Sequence, residues 1–483
     1  MSEIKEIWKN IDSTACDVRD IWRVLKHAKT HLAPSSGIAS ACLCPFRARL
    51  RYFYGVPPKG GQEALEGAIA HEALSAIYQV IKDVWDLELS NSETIMNELE
   101  ERAKPIKKIV FERARDRLSE RYFGDKIKEI LEGANDRFIS LLKPFVDNIM
   151  IKYPPPKEIL SELLIVNARS GHHGRIDMII KFNDHYITLD WKSYSIDPAK
   201  SHSYDHYQII ANGMLANFRY MREEKDFSRN KLVVIYPYGI YIPHNPSGTR
   251  ALEKVEKARD YLLDCLAGRS VRGEMPAPQL CMACEYYYEC KFYREEYLAK
   301  IKGDLTPLAD EVLRLFFYRR YVTLEERAVS HRYEYLIQAI LDKFGYEEGI
   351  RKLEDVGVVE RDYEVKNWSW DENKEKLLVY LKGNHKSRLR RGTIIRVSKI
   401  EENVPLLARI NFTGTVEKVK SDGLILSVYG RYWPNIEQVG RSSVILSKTE
   451  IDLTRRELEG IHFAHSHWKN IGMILEMVGH QNG

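Results

Sequence analysis

The spacing of apolar positions changes character several times between residues 160 and 270. Glu162 begins a short apolar run, Leu163–Val166. Ile176, Met178, Ile179 and Ile180 make a second, and Ile187 and Leu189 a third, with Asn183-Asp184 between these two. Such runs predict strands covered on both faces, and Asn-Asp suits a tight hairpin turn with positive φ. Helical spacing returns near 205–220. A buried strand, KLVVIY, follows at 231–236, and another helix at 252–266. The order strand, hairpin, helix, strand, helix predicts a mixed α/β sheet.

Helices flank this sheet in the sequence. Residues 1–33 are amphipathic, and Pro34-Ser35-Ser36 stops them; Ser35 or Ser36 is expected to cap a helix carrying Ile38, Ala41 and Cys42. Gln62 to Val80 predicts one helix, with His71 a turn beyond Gly67. Residues 95–150 predict long charged helices in a solvated layer, ended by Tyr153-Pro154-Pro155-Pro156. Asp304–Phe344 predicts two helices. Short strands then follow at Gly357–Glu360, Leu377–Leu381, Thr393–Val397, Ala408–Lys418, Gly423–Tyr429 and Ser443–Leu446, with turn signals such as Ser421-Asp422-Gly423. Short strands at this density predict a small barrel. Residues 454–478 predict a last helix.

The hairpin register leads to chemistry. With a two-residue turn, Phe182 faces His185, Asp177 faces Asp190 and Arg175 faces Lys192. Directly opposed residues lie roughly 5 Å apart, where like charges repel. A surface hairpin with solvated charges is the plain alternative, but the apolar runs argue for burial, and buried carboxylates need a partner. A divalent cation between Asp177 and Asp190 accounts for the pairing, with Lys192 beside it to hold an anion or a water.

Composition excludes several classes. The chain of 483 residues is 44% hydrophobic and 29% charged, that of a globular protein of two or three domains. A net charge of +4 leaves any nucleic-acid binding to local patches. No run of about 18 apolar residues predicts a membrane span, and MSEIKEIWKN lacks a secretory core, so an intracellular, cytoplasmic location is expected. Seven cysteines are present, an odd number. Cys281, Cys284 and Cys290 form C-x2-C-x5-C, a grouping suited to zinc or an iron–sulfur cluster, with Cys44 or Cys42 as fourth ligand. Arg47, Arg49 and Arg51 interleave with Tyr52, Phe53 and Tyr54, a pattern that fits a phosphate track with base stacking or, equally, a half-buried helix. His385–Gly392 is a second basic run, and with Tyr429, Tyr432 and Trp433 it fits a single-strand surface or a solvated loop.

Taken together, Ser36-Gly37-Ile38 leading to Cys44-Pro45, Gly67-x3-His71, Glu162, Gly174-x2-Asp177, Asp190-Trp191-Lys192, Gln208 and Cys281-x2-Cys284-x5-Cys290 resemble the RecB-like branch of the PD-(D/E)XK nucleases. The resemblance is to its iron–sulfur members: the CRISPR-associated adaptation nucleases and the nuclease part of the Okazaki-fragment nuclease–helicase. It implies an α/β restriction-endonuclease-like core with helical layers over residues 1–300, closed by the cluster. A helical connector at 301–349, a β-barrel at 350–450 and a C-terminal helix at 451–483 would follow. It implies that His71, Asp177, Asp190 and the carbonyl of Trp191 bind Mg2+ or Mn2+, that Lys192 orients or activates the attacking water, and that Gln208 supports the site. Cys44, Cys281, Cys284 and Cys290 would hold a [4Fe–4S] cluster. The family often has Tyr four residues after the Gln, where this chain has Asn212. The activity implied is DNA hydrolysis, of single strands or ends, more exonuclease than endonuclease, in repair or CRISPR adaptation. With no G-x4-G-K-[ST] in the sequence, any helicase motor is expected to be a partner chain. The alternative is a catalytically silent DNA-binding subunit of a repair complex with structural iron–sulfur or zinc.

Overall fold

The computed structural model describes residues 3–14, 17–28, 30–53, 61–120, 122–194, 203–244, 246–267, 284, 290, 328, 331–371, 376–383 and 387–449. Cys281, the helix expected at 454–478 and nearly all of 301–330 lie outside them.

The first part runs α1 (Glu3–Thr14), α2 (Val18–His27), β1 (Ala33–Pro34), α3 (Ser35–Leu43), α4 (Pro45–Ala48), α5 (Gln62–Ala76), α6 (Tyr78–Trp85), α7 (Ser92–Ser119) and α8 (Asp125–Phe145). The sheet and its helices follow: β2 (Glu158–Asn167), β3 (His172–Lys181), β4 (Tyr186–Trp191), α9 (Ser203–Tyr220), β5 (Asn230–Tyr236), β6 (Gly239–Tyr241) and α10 (Thr249–Leu266). Helix α11 spans 331–344 and α12 spans Tyr346–Asp355. The last part holds β7 (Val359–Asp371), β8 (Lys376–Lys382), β9 (Ile394–Lys399), β10 (Asn411–Lys420), β11 (Gly423–Tyr429), α13 (Trp433–Val439) and β12 (Ser443–Lys448).

The sheet is mixed, in the order β1-β3-β4-β5-β6, with β2 also paired to β3. Strand β3 is its centre. Along one edge β2 pairs with it from Lys181 to His172. Along the other, β4 takes Met178 to Lys181 and β1 takes His172 and His173. Residues 174–177 therefore lie between two strand partners that do not meet. The two faces are covered separately. Met178, Ile180, Ile187, Leu189 and Trp191 pack under α5, α6, α7 and α8. Val166, Leu232, Val234 and Tyr236 pack with residues of α3, α9 and α10, and with α1, α2 and α11. The charged layer expected over 95–150 is present. Helix α7 buries Ile95, Leu99, Ala103, Val110, Ala114 and Leu118, spaced by fours and a seven, and leaves its other side to water.

Three local expectations are corrected. Neither serine caps α3: Pro34 holds the cap position, and the Ser35 hydroxyl turns instead to His172 Nε2 at 3.0 Å. The helix expected from Gln62 to Val80 breaks at Ile77, whose ψ of 11° leaves the helical region. Ile77 and Ile81 are both fully buried, so packing on the sheet, not a local breaker, sets the bend. The Asn183-Asp184 turn has no positive φ. It is held instead by Phe182 N–H donating to the His185 carbonyl (2.9 Å) and by stacking of the two rings at 4.7 Å.

The expected barrel closes with six strands, β10-β11-β8-β7-β12-β9. Strand β7 outruns the predicted Gly357–Glu360. Tyr363 and Val365 carry its alternation on into the core, past an Asp362 of φ 66° that masks it in sequence. The strand expected from Ala408 begins at Asn411, because Leu406–Ala408 forms a short 3-10 turn. Within the basic run, Arg388 is spent on the fold: its guanidinium reaches the carbonyls of Glu354 and Asp355 at 3.4 and 3.0 Å.

The barrel shares a core with the sheet. Ile165, Ile176, Ile179 and Tyr186 pack with Phe412, Leu426 and Ile436. Two buried ion pairs cross the junction: Arg219 of α9 with Glu401 at 2.6 Å, and Arg396 of β9 with Glu334 of α11 at 3.1 Å. The Arg219 side chain is 1% exposed and also donates to the Ala408 carbonyl. Breaking one partner of such a pair costs about 3–5 kcal/mol, because the other charge stays buried. Glu401→Ala is accordingly expected to lower the midpoint of urea unfolding markedly, and Arg351→Ala, on an exposed helix pair, to leave it unchanged.

Candidate active site

The β3–β4 register is the one the sequence predicts as far as Met178 opposite Leu189. There the ladder stops. Trp191 N–H donates to the Asp177 carboxylate (2.8 Å) instead of to a strand carbonyl, and Lys192 N–H follows β5 to Ile235 (2.9 Å). Arg175 consequently does not face Lys192. It turns across β2 to Glu162, at 3.3 Å.

Glu162 does not begin a strand, as expected, but sits inside β2 with φ 52°. Its neighbours Ser161 and Leu163 pair with Met178 and Ile176, so Glu162 lies across from Asp177. A left-handed non-glycine residue costs of order 1–3 kcal/mol and persists where its surroundings hold it. Helix α13 of the barrel provides the hold. Asn435 Nδ2 donates to the Glu162 carbonyl, and the Gln438 side chain bonds both the N–H and the carbonyl of Ser161, all at 3.0 Å. The Glu162 carboxylate then accepts from Ser75 of α5 at 2.9 Å.

Helix α5 brings His71 over the same strand end, with Nδ1 3.7 Å from Asp177 Oδ2 and the Trp191 backbone beside its ring. Gly67 permits this approach: a Cβ there would lie 2.3 Å from Ser193 Oγ. Gly67→Ala is expected to push α5 off β4 at a cost of about 1–3 kcal/mol. The double variant Gly67→Ala with Ser193→Gly is expected to recover most of that loss, measured as a thermal midpoint. On β3, Gly174 plays the same part toward Ser35, at 2.4 Å.

Lys192 Nζ lies 2.7 Å from Asp190 Oδ2, donates to Gln208 Oε1 of α9 at 3.0 Å, and stands 3.8 Å from Asp205. Asp205 is fully buried and accepts from Tyr194 (2.5 Å) and Tyr236 (2.7 Å). Neither Asp205 nor Tyr194 was singled out from sequence. The period-two series Asp190, Lys192, Tyr194 and the one-turn spacing of Asp205 and Gln208 carry that signal.

The electrostatics are those of crowded anions. Burial, then Asp190 and Glu162, push the Asp177 carboxyl well above its usual range. Burial pulls Lys192 down, but Asp190, Asp205 and Asp177 more than offset it, so it is held as the ammonium. Burial, then Lys192, lower His71, leaving a neutral imidazole with a lone pair to offer. Among the described residues no group of three or more His, Cys, Asp or Glu stands where it could hold a metal ion without some rearrangement. The chemistry of the donors nevertheless suits a divalent cation: Glu162, Asp177, Asp190 and a neutral imidazole lie close enough to perturb one another and share one ammonium.

The sequence thus names a cluster that the fold brings together: His71, Asp177, Asp190, Trp191, Lys192 and Gln208. Cys44 lies elsewhere, half-buried at the start of α4, with its sulfur accepting from Arg47 N–H at 3.4 Å. Cys42 is buried, its thiol toward the Lys254 carbonyl. Asn212 is also buried, and Gly174 approaches its side chain.

The sequence model of the PD-(D/E)XK nuclease superfamily matches residues 33–291, more than half of the chain. The chain belongs to the PD-(D/E)XK nuclease superfamily. No curated protein matches it. The matched span starts at β1 and takes in the sheet with all the clustered residues. For a nuclease of this superfamily, metal-dependent phosphodiester hydrolysis is the expected chemistry, and DNA the expected partner. Among the described residues no helix is long and apolar enough to cross a membrane.

Of the clustered residues, His71, Glu162, Trp191 and Lys192 line a cavity of about 550 Å³. One wall is α5 and α7; the facing wall is the barrel, through Arg431, Trp433 and Glu437. Tyr432, expected on a binding surface, is instead buried, with Arg175 5.1 Å from its ring centre.

Proposed function

We propose that this chain is a metal-dependent deoxyribonuclease that hydrolyses phosphodiester bonds in single-stranded DNA or at DNA ends, as an exonuclease rather than an endonuclease. The convergence of Asp177 and Asp190 on His71 and Lys192, which line one cleft, carries this reading. Asp177 and Asp190, with His71 and the Trp191 carbonyl, would hold Mg2+ or Mn2+. Such an ion neutralises phosphate charge and lowers the pKa of a bound water. Lys192, kept as the ammonium, donates to the attacking water or to a phosphate oxygen. Gln208 and Asp205 fix its direction, and the Tyr194 and Tyr236 hydroxyls fix Asp205. Glu162 adds a third carboxylate on the side of the cleft that α13 braces.

The same proposal assigns Cys44, Cys281, Cys284 and Cys290 to a [4Fe–4S] cluster. The half-buried positions of Cys44, Cys284 and Cys290 and the inward turn of Cys42 support Cys44 as the fourth ligand. DNA end processing or CRISPR adaptation is the setting proposed, with a separate helicase or adaptation proteins as partners.

The test is cleavage of end-labelled single-stranded and duplex DNA by anaerobically purified protein with Mg2+ or Mn2+, alongside iron and zinc analysis. Metal-dependent loss of the labelled single strand is expected, with about four irons per chain. A protein that binds DNA and cuts none with either metal would be a silent binding subunit. Stoichiometric zinc without iron would overturn the cluster.

A further inference from the structure

The cleft wall contributed by the barrel is chemically unlike the catalytic floor. Arg113 of α7 places its guanidinium carbon 4.2 Å from the Trp433 ring centre and 4.6 Å from that of Trp370. The three planar groups join α7 to β7 and α13. Trp433 is fixed by its indole N–H, which donates to Glu437, and Trp370 by close packing on Gly430, where a Cβ would meet its ring at 3.2 Å. Arg113 and Trp433 both line the cavity that contains His71 and Lys192, and the exposed Arg431 lines it beside them.

We infer that Trp433 and Arg113 form a stacking platform for one base of single-stranded DNA, placed so that a neighbouring phosphate reaches the end of the cavity that His71 and Lys192 line. Indole and guanidinium planes both accept a stacked base, whatever its sequence. Arg431 offers the positive charge that the backbone requires. A cavity of about 550 Å³ is of small-ligand size, enough for an unpaired base with its sugar and phosphate. The barrel would thereby act as the part of the enzyme that selects unpaired DNA. This inference rests on the nuclease reading for the position of the phosphate, but its test does not require turnover.

The full chain, purified anaerobically and held without divalent cation, is titrated by fluorescence anisotropy with a labelled oligothymidylate and with a fully abasic strand of the same length. The wild type is expected to prefer the base-bearing strand by roughly 5- to 100-fold, the worth of one stacked base. Trp433→Ala is expected to lose that preference while keeping its affinity for the abasic strand, and Trp433→Phe to keep most of it. Equal binding of the two strands by the wild type would overturn the platform, whether or not any variant folds. So would a preference that survives intact in Trp433→Ala. A protein that shows the expected preference and cuts no DNA would refute the nuclease and leave the platform standing. One that cuts DNA without preferring bases would do the reverse.

Discussion

Asp190→Asn is expected to fold as the wild type does and to cut DNA at least ~10³-fold more slowly at every concentration of Mg2+ or Mn2+. Asp190 is 2% exposed, and asparagine keeps its shape. The change removes one of the crowded anions that lift the Asp177 carboxyl, so the fold loses little: relief of repulsion offsets a weaker contact with Lys192. What it removes is half of the carboxylate pair proposed to hold the cation. A catalytic cation stabilises phosphoryl transfer by several kcal/mol, and each 1.4 kcal/mol or so is a factor of ten in rate. Single-turnover cleavage beside a thermal melt is the measurement. Unchanged melting with the rate lost places the chemistry at this pair. A rate within tenfold of wild type would move the catalytic centre elsewhere.

Lys192→Met is expected to damage the fold and the reaction together, and the two losses respond differently to metal. The ammonium lies among Asp190, Asp205 and Asp177, and its side chain is 12% exposed. Taking it away leaves buried carboxylates without their cation, a change that costs about 3–5 kcal/mol. That cost should be largest in chelator. It should shrink as Mn2+ is added, because a bound cation supplies the missing charge and binding to the folded state alone stabilises it. The rate should not recover in parallel. Loss of a donor aimed at developing charge costs about 10²–10³-fold, and a cation on the carboxylates does not replace it. Urea unfolding with and without Mn2+, together with cleavage at saturating metal, separates the two. An equal stability loss in both buffers would show that Lys192 and the cation do not share these carboxylates.

How much of this could be read from the sequence follows from the range of the forces involved. The β3–β4 register rests on local alternation and a short turn, so Met178 opposite Leu189 followed by counting, with Asp177 and Asp190 one residue beyond the last pair. The barrel strands were legible for the same reason. The extension of β7 was not, because Asp362 at φ 66° breaks the alternation at one residue and pairing resumes beyond it. The split of α5 from α6 at Ile77 has no local signal, since it is set by packing on the sheet. Glu162 is the plainest case. A reader of sequence places a glutamate before an apolar run at a strand's start. Its true position, inside the strand and left-handed, is imposed by Asn435 and Gln438, more than 270 residues away.

Those bonds from α13 to β2 bear on how such a protein can be inherited. A barrel joined only by a linker could be exchanged between lineages as a unit, leaving the nuclease intact. Here the barrel supplies the side chains that hold a strained residue of the nuclease core, and it closes the cleft above it. Replacement by an unrelated barrel would release Glu162 to ordinary strand geometry. A transplanted barrel would therefore have to bring its own equivalents of Asn435 and Gln438 to keep Glu162 where it stands.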